Sequence, residues 1–381
     1  MGVKRSTAII ILAAIVLLSL LFLFRMKDEM ADFEVNYKAG QRIRSGETLY
    51  RTADGHWQFK YLPFSAFLYL PLTLLPLSWA KAVWFGAIVL ASAMIFFISS
   101  KLIGIKEKTF FSPALFAGLI VARYFLRELQ LGQINALITF LLVATIWLLA
   151  GSSRPAASAA SGALVGLATA LKPYAVVFFL YLAVRKKWPA MATGLAVIIL
   201  AALAPALFYG WQGNLVVLGE WKSSLAASTP SLLTSQDNVS LLAFLMKRTQ
   251  DQSLSLTISG IILAALGGLV LFLLHRGSRI SRSTVLDGFL LLALIPLVSP
   301  LGWDYTFLSA APAVMLICHH YDKFRPFWRG FLILNFLVIS LTLYDLMGRG
   351  LYATFMSSSI ITLDFLALVG YLAYLRIKGH A

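Results

Sequence analysis

The chain has 381 residues, 60% hydrophobic and 13% charged, with 32 Lys and Arg against 16 acids and a net charge of +16. A mean hydropathy of +0.83 and a succession of apolar runs near ~20 residues mark an all-α polytopic membrane protein and exclude a membrane barrel, whose strands would give ~10-residue alternating segments. One cysteine, Cys318, excludes a disulfide framework and a cysteine metal site, and basic residues that punctuate the apolar runs follow the positive-inside pattern rather than forming a nucleic-acid patch.

Lys4 and Arg5 precede an apolar run from Ser6 to Phe24 with no small-residue cleavage site, which predicts a signal-anchor helix with a cytoplasmic N-terminus. The polar stretch that follows therefore faces outward. It carries Asp28, Glu29, Asp32 and Glu34 and runs into Tyr61–Leu77, an apolar segment broken by Pro63, Pro71 and Pro76. Such a segment is short for a span and unsuited to a straight helix, so it reads as interfacial or re-entrant.

With that piece set aside, the spans alternate. They are expected near Trp79–Ser100, Ser112–Phe125, Ile134–Ala150, Ala157–Leu171, Tyr174–Val184, Trp188–Tyr209, Ser253–Leu274, Thr284–Val298, Asp304–His320, Gly330–Tyr344 and Ser357–Leu375. Cytoplasmic turns are marked by Lys101, Lys106 and Lys108, by Arg154, by Arg185, Lys186 and Lys187, by Arg276, Arg279 and Arg282, and by Lys323, Arg325 and Arg329. The expectation is a single domain over 1–381, about twelve transmembrane helices with both termini inside, an outer loop and interfacial segment at 25–78, and a second outer loop at 210–252. Every acid except Glu107, Asp287 and Asp322 then falls outside. Acids contribute little to orientation, so their concentration points to chemistry on the outer face.

Asp32 is the first candidate for that chemistry. A carboxylate just beyond the membrane surface is partly stripped of water, which favours general-base work, and glycosyl transfer needs one base to take the acceptor hydroxyl's proton. The competing reading is a loop acid or a helix N-cap before FEVNYKAGQRI, and Asp28, Glu29 and Glu34 compete for the same role. Arg123 and Arg127 share a helix face and either grip a phosphate or snorkel and pair with Glu128. Lys172 lies between the small-residue run GALVGLATAL and Pro173, at a broken-helix junction where a cation suits phosphate. Gln236, Asp237 and Asn238 either cap a short helix or bond sugar hydroxyls. In SPLGWDY, Trp303 and Asp304 offer an aromatic face and a carboxylate, although a Trp is ordinary at a membrane interface. The five histidines, His56, His275, His319, His320 and His380, show no zinc-type spacing. No metal or cofactor is required, though Asp28, Glu29 and Asp32 allow a divalent ion.

Six stretches together carry a resemblance: DFEVNYKAGQRIRSGETLY (32–50), FKYLPFSAFLYLPLTLLP (59–76), LGQINAL (131–137), GLATALKPY (166–174), SQDNVSL (235–241) and SPLGWDY (299–305). In this order they resemble the GT-C class of membrane glycosyltransferases, specifically glycosyltransferase family 87, the polyprenyl-phosphate-mannose-dependent α-mannosyltransferases. The resemblance implies a GT-C-like bundle whose large first outer loop carries the active site, with an acidic base mapping onto Asp32. It also implies a lipid-linked donor, an inverting displacement and a phosphate-binding region mapping onto Lys172, with Gln133 and Asn135 nearby. Glu34, Tyr37 and Tyr174 in the matching stretches join the expected substrate-binding set. Family members often carry histidines after the SP-x-x-W motif, where this chain has Asp304 and Tyr305.

The resulting expectation is a plasma-membrane glycosyltransferase that takes sugar, mannose as the resemblance implies, from a polyprenyl phosphate to an outer-face glycan or glycolipid, among membrane lipids and without nucleic acid. The alternative is a polytopic lipid or solute transporter without glycosidic chemistry, which would favour inverted repeats and broken helices near mid-membrane; no internal repeat is visible.

Overall fold

A computed structural model describes residues 16–106, 111–152, 154–276 and 283–379. Lys4, Arg5 and the start of the first apolar run lie outside the described residues, as do Glu107, Lys108, Arg279, Arg282 and His380.

The described chain is helical, and its helices follow the expected apolar runs. The first, α1, covers Val16–Met26. Next, α2 (Ala31–Arg44) is a regular helix that starts after Met30, whose left-handed backbone (φ 67) turns the chain into it. Asp32 is therefore in the first turn and is not the N-cap. The proline-bearing stretch forms two short pieces, α3 (Ser65–Tyr69) and a 3₁₀ turn over Pro71–Leu74, rather than one continuous helix. Pro76 then opens α4 (Leu77–Ile103), which ends in a left-handed Gly104.

Next come α5 (Phe111–Leu131), α6 (Asn135–Gly151), α7 (Pro155–Leu171), α8 (Val177–Val184) and α9 (Trp188–Leu203). Helix α7 stops because Lys172 must be extended before Pro173. Small residues let α7 and α9 touch along their backbones: a Cβ on Gly162 would lie 1.9 Å from the Ala190 carbonyl oxygen, and one on Gly166 would lie 2.5 Å from that of Gly194.

The expected outer loop at 210–252 is instead largely helical. Helix α10 (Ala206–Leu233) is bent 87° from α9, and α11 (Leu241–Thr249) follows. Pro205 and a left-handed Gly210 make the corner. The mixed polar and apolar sequence of α10 is that of a helix lying across a surface, which a search for apolar runs passes over.

The remaining helices are α12 (Gln252–Arg276), α13 (Ser283–Val298), α14 (Ala311–His319), α15 (Pro326–Leu341), α16 (Tyr344–Ser358) and α17 (Ile361–Lys378), with a 3₁₀ turn at Asp304–Ala310 before α14. Helices α15 and α16 meet at 97°. By length and composition α4 and α12 can each cross a membrane, and the α9–α10 and α15–α16 pairs add two if each counts as one broken span. The other apolar helices are shorter, as helices of ~16 residues span only ~24 Å against a hydrocarbon core of ~30 Å.

Helix α13 forms the centre. It is buried from Val285 to Leu297 and packs on α6, α8, α14 and α17. Its two ends hold different polar groups. At the first, the buried Asp287 accepts from Arg185 (2.5 Å) and Arg376 (2.7 Å). At the second lie the SPLGWDY and SQDN segments, described next. The residues expected on the two sides of a membrane thus sort to opposite ends of one helix.

Candidate active site

Asp32 and Gln133 are brought together by backbone. The Met30 N–H donates to the Gln130 carbonyl (2.8 Å), and the Trp84 indole donates to the Gly132 carbonyl (2.9 Å). Gly132 sits at φ +67, and a Cβ there would lie 2.6 Å from the Phe33 Cβ. Only a glycine lets the LGQIN turn lie this close to α2.

The Gln133 amide then joins two charges. Its nitrogen donates to Asp32 Oδ2 (2.6 Å) and to the Tyr305 hydroxyl (3.3 Å). Its oxygen accepts from Lys172 (3.1 Å) and the Tyr61 hydroxyl (3.2 Å). A lysine ammonium can only donate, so it fixes which end of the amide faces the carboxylate. Asn135 repeats the arrangement. Its oxygen accepts from Lys172 (2.8 Å) and Tyr174 (2.9 Å), and its nitrogen donates to Glu128 (2.8 Å). Glu128 also receives the Ala136 backbone N–H (2.8 Å), at the start of α6 where a negative charge is favoured.

Lys172 is 7% exposed. Its ammonium lies 5.1 Å from the centroid of the Tyr61 ring. Burial pushes it down to about 8, against the opposing pull of Glu128 and Asp32. Ser65 bonds the Leu171 carbonyl (3.1 Å), tying the interfacial α3 to this junction. Asp32 is half-buried, and its Oδ1 has no hydrogen-bond partner among the described residues. The site thus presents one free carboxylate oxygen, held from behind by an amide that is itself held by a lysine.

The competing acids of the first loop are placed elsewhere. Glu34 pairs with the buried Lys81 (2.7 Å), which also donates to the Lys27 and Glu29 carbonyls. Glu29 pairs with Arg25 (3.5 Å), and Asp28 is exposed. The Tyr37 hydroxyl donates to the Leu75 carbonyl (2.8 Å). Glu34 and Tyr37, expected to touch substrate, here make bonds that clamp α2 onto α4 and the turn before it.

The expected arginine pair is split. Arg123 is buried, donating to the Thr342 hydroxyl (2.6 Å) and to Asp304 (3.1 Å), so its charge is already matched. Arg127 bonds Gln130 (2.9 Å). Asp304 correspondingly serves Arg123 and the Tyr305 N–H rather than facing outward. The amide of Asn238 is fully used: it donates to the Leu232, Leu233 and Pro300 carbonyls and accepts from the Ser240 and Gly302 N–H groups. It clasps the SQDN segment to the SPLG segment, beside an antiparallel backbone bridge between Asn238 and Trp303. Trp303 is half-buried and Gln236 exposed. Asp237 is pushed up by burial and by Asp304, against Arg127 and Lys247.

Three members of the network lie outside the site set that the sequence predicts: Glu128, expected as an arginine partner, and Tyr61 and Tyr305, both inside matching stretches. Among the described residues no group of three or more His, Cys, Asp or Glu is placed to hold a metal ion.

The sequence profile of glycosyltransferase family 87 matches residues 59–300, more than half of the chain. The chain belongs to glycosyltransferase family 87. It is therefore a membrane glycosyltransferase of the GT-C class, which uses a lipid-linked sugar donor, and the transporter alternative gives way. The matched stretch holds Tyr61, Glu128, Gln133, Asn135 and Lys172, and ends before Trp303 and Tyr305. It begins after Asp32, whose place beside them comes from the fold. The structure of ArnT from Cupriavidus metallidurans in the apo state is similar with a TM-score of 0.43 and 14% identity, covering 98% of this chain and 78% of that one. No curated protein matches the chain.

Proposed function

We propose that the enzyme transfers a sugar, mannose or a related hexose or pentose, from a polyprenyl phosphate to a hydroxyl of an outer-face glycan or glycolipid, with inversion. The observation that carries this reading is the free Oδ1 of Asp32, whose partner oxygen is fixed by Gln133 at 2.6 Å. Asp32 takes the proton of the acceptor hydroxyl, whose oxygen attacks the anomeric carbon as that carbon gains oxocarbenium character. The bond from that carbon to the phosphate oxygen breaks, and the lipid phosphate leaves with the electron pair. The donor enters a single domain from the bilayer, with its apolar tail in lipid and its anionic head at the cations beside Asp32.

Topology follows from the same reading. The Asp32 end of α13 faces outward and the Arg185–Asp287–Arg376 end faces the cytoplasm, with about twelve membrane passages and both termini inside. Charge placement supports this, since lysines and arginines gather at the Arg185–Asp287–Arg376 end.

The test is transfer of label from radiolabelled polyprenyl-phosphate mannose into a host lipid extract by purified wild type and Asp32→Ala. Product with wild type alone supports enzyme and base together. Equal product from both discards Asp32, and product from neither sends the question to a panel of other donor sugars.

A further inference from the structure

The network leaves one cation beside Asp32 without a partner. Lys60 is half-buried, and its ammonium has no hydrogen bond or ion pair among the described residues. Its backbone is nonetheless tightly held. Phe59 is 1% exposed in a cluster with Ile43, Leu49 and Tyr50, and the Lys60 carbonyl accepts the Trp221 indole N–H (3.2 Å). The Tyr61 carbonyl accepts the Tyr50 hydroxyl (2.6 Å), and the Tyr61 hydroxyl reaches Gln133 (3.2 Å). A lysine fixed on both flanks and left unpaired within electrostatic range of the proposed base is an unusual use of a partly buried charge, since such charges are ordinarily matched.

We propose that the two lysines near Asp32 divide the work: Lys60 contacts the phosphate of the lipid-linked donor, and Lys172 is a positioning residue that orients Gln133, and through it Asp32. This rests on the proposed function. It moves the phosphate contact from Lys172, where the family resemblance puts it, to a residue that the resemblance does not single out.

The chemistry separates the two lysines. Two of the three Lys172 N–H groups are spent on Gln133 and Asn135, and its ammonium lies against the Tyr61 ring. Removing its charge frees both amides to rotate, and a rotated Gln133 turns an oxygen towards Asp32. The Lys60 ammonium keeps all three donors for an anion. The donor is a phosphodiester with one negative charge, and the departing lipid phosphate gains a second as the sugar–oxygen bond breaks. A cation at Lys60 is therefore attracted to the donor and more strongly to the leaving group.

Full-length protein in nanodiscs is titrated with a sugar-free polyprenyl monophosphate and, separately, with the uncharged polyprenol. Lys60→Gln is expected to weaken monophosphate binding about 10-fold, the scale of one lost charge-assisted contact, and to leave polyprenol binding unchanged. Lys60→Arg restores most of it. Lys172→Met is expected to bind monophosphate within about 3-fold of wild type while kcat falls about 100-fold, consistent with a displaced general base. Wild-type monophosphate affinity in Lys60→Gln overturns the proposal. So does Lys172→Met losing the affinity with its thermal unfolding unchanged. If Lys172→Met does not fold, the Lys60 variants decide alone. Neither probe needs a sugar or an acceptor, so lysine-dependent monophosphate binding without any transfer upholds this inference while discarding the proposed donor sugar.

Discussion

Gln133 donates its side-chain N–H to Asp32 Oδ2 at 2.6 Å, and this bond joins α2 to the turn between α5 and α6. The two residues lie about a hundred positions apart in sequence. Their meeting singles out one of four nearby acids, because Glu34 is claimed by Lys81, Glu29 by Arg25, and Asp28 is exposed.

Asp32→Asn keeps the shape of the side chain and removes the base. Turnover is expected to fall by about 10²–10⁴, the usual contribution of a general base, with expression and thermal unfolding near wild type. Asp28→Asn, on an exposed side chain, is expected to retain wild-type turnover in the same assay. Equal losses in the two variants would show a general effect of loop charge and remove Asp32 from its role.

Gly132 tests the scaffold under that bond. Gly132→Ala puts a methyl group 2.6 Å from the Phe33 Cβ and forces a side chain onto a backbone at φ +67. The left-handed backbone alone costs about 1–2 kcal/mol, and the contact must be relieved by moving the turn that carries Gln133. A thermal unfolding temperature several degrees lower and turnover down at least about 10-fold are expected. Purified Gly132→Ala with wild-type turnover would show that the Asp32–Gln133 spacing is not critical.

Much of this site is legible in the sequence as membership. LGQINAL, GLATALKPY, SQDNVSL and SPLGWDY are short polar breaks between apolar runs, and a bundle with alternating helices must gather such breaks at one end. Which atoms meet is not legible. Asn238 and Trp303 look like sugar ligands from composition, yet the Asn238 amide is spent on five backbone groups. Arg123 and Arg127 share a face by spacing, yet Asp304, 181 residues on, claims Arg123. Such pairings depend on how helices pack, which no local pattern encodes. Helix α10 is hidden for a different reason, since its sequence mixes polar and apolar residues and lacks a continuous apolar run.

The donor contact carries a pH signature. Burial pushes the Lys60 ammonium below its usual value, and the charge of Asp32 opposes the shift. Lys172 and Glu128 belong to the same network on the other side of Gln133. The phosphodiester donor keeps a single charge throughout, so its affinity follows the ammonium. Affinity is full below the folded-state value of Lys60 and is lost as pH rises through it, earlier than for an exposed lysine at ~10.4. Donor KM for wild type is expected to rise on the alkaline side, whereas Lys60→Arg, whose guanidinium stays charged, is expected to show a smaller rise. An identical rise in both assigns the titration to another group.

The far end of α13 provides a separation of stability from catalysis. Asp287 is 1% exposed and is the shared partner of Arg185 and Arg376, and Arg376 also reaches the Leu273 carbonyl. This one carboxylate therefore ties α8, α12 and α17 to α13. Asp287→Asn leaves two guanidiniums facing a neutral amide, and breaking a buried pair in this way typically costs about 3–5 kcal/mol. A clear drop in thermal unfolding temperature in detergent is expected. Turnover per folded molecule should stay near wild type, because α13 runs on from Asp287 to Val298, roughly 16 Å, before it reaches the Asp32 end. Replacing Arg376 by Met in the Asp287→Asn background should recover part of the loss, since one unmatched charge goes with it. An unchanged unfolding temperature in Asp287→Asn would show that the cluster contributes little to holding the bundle.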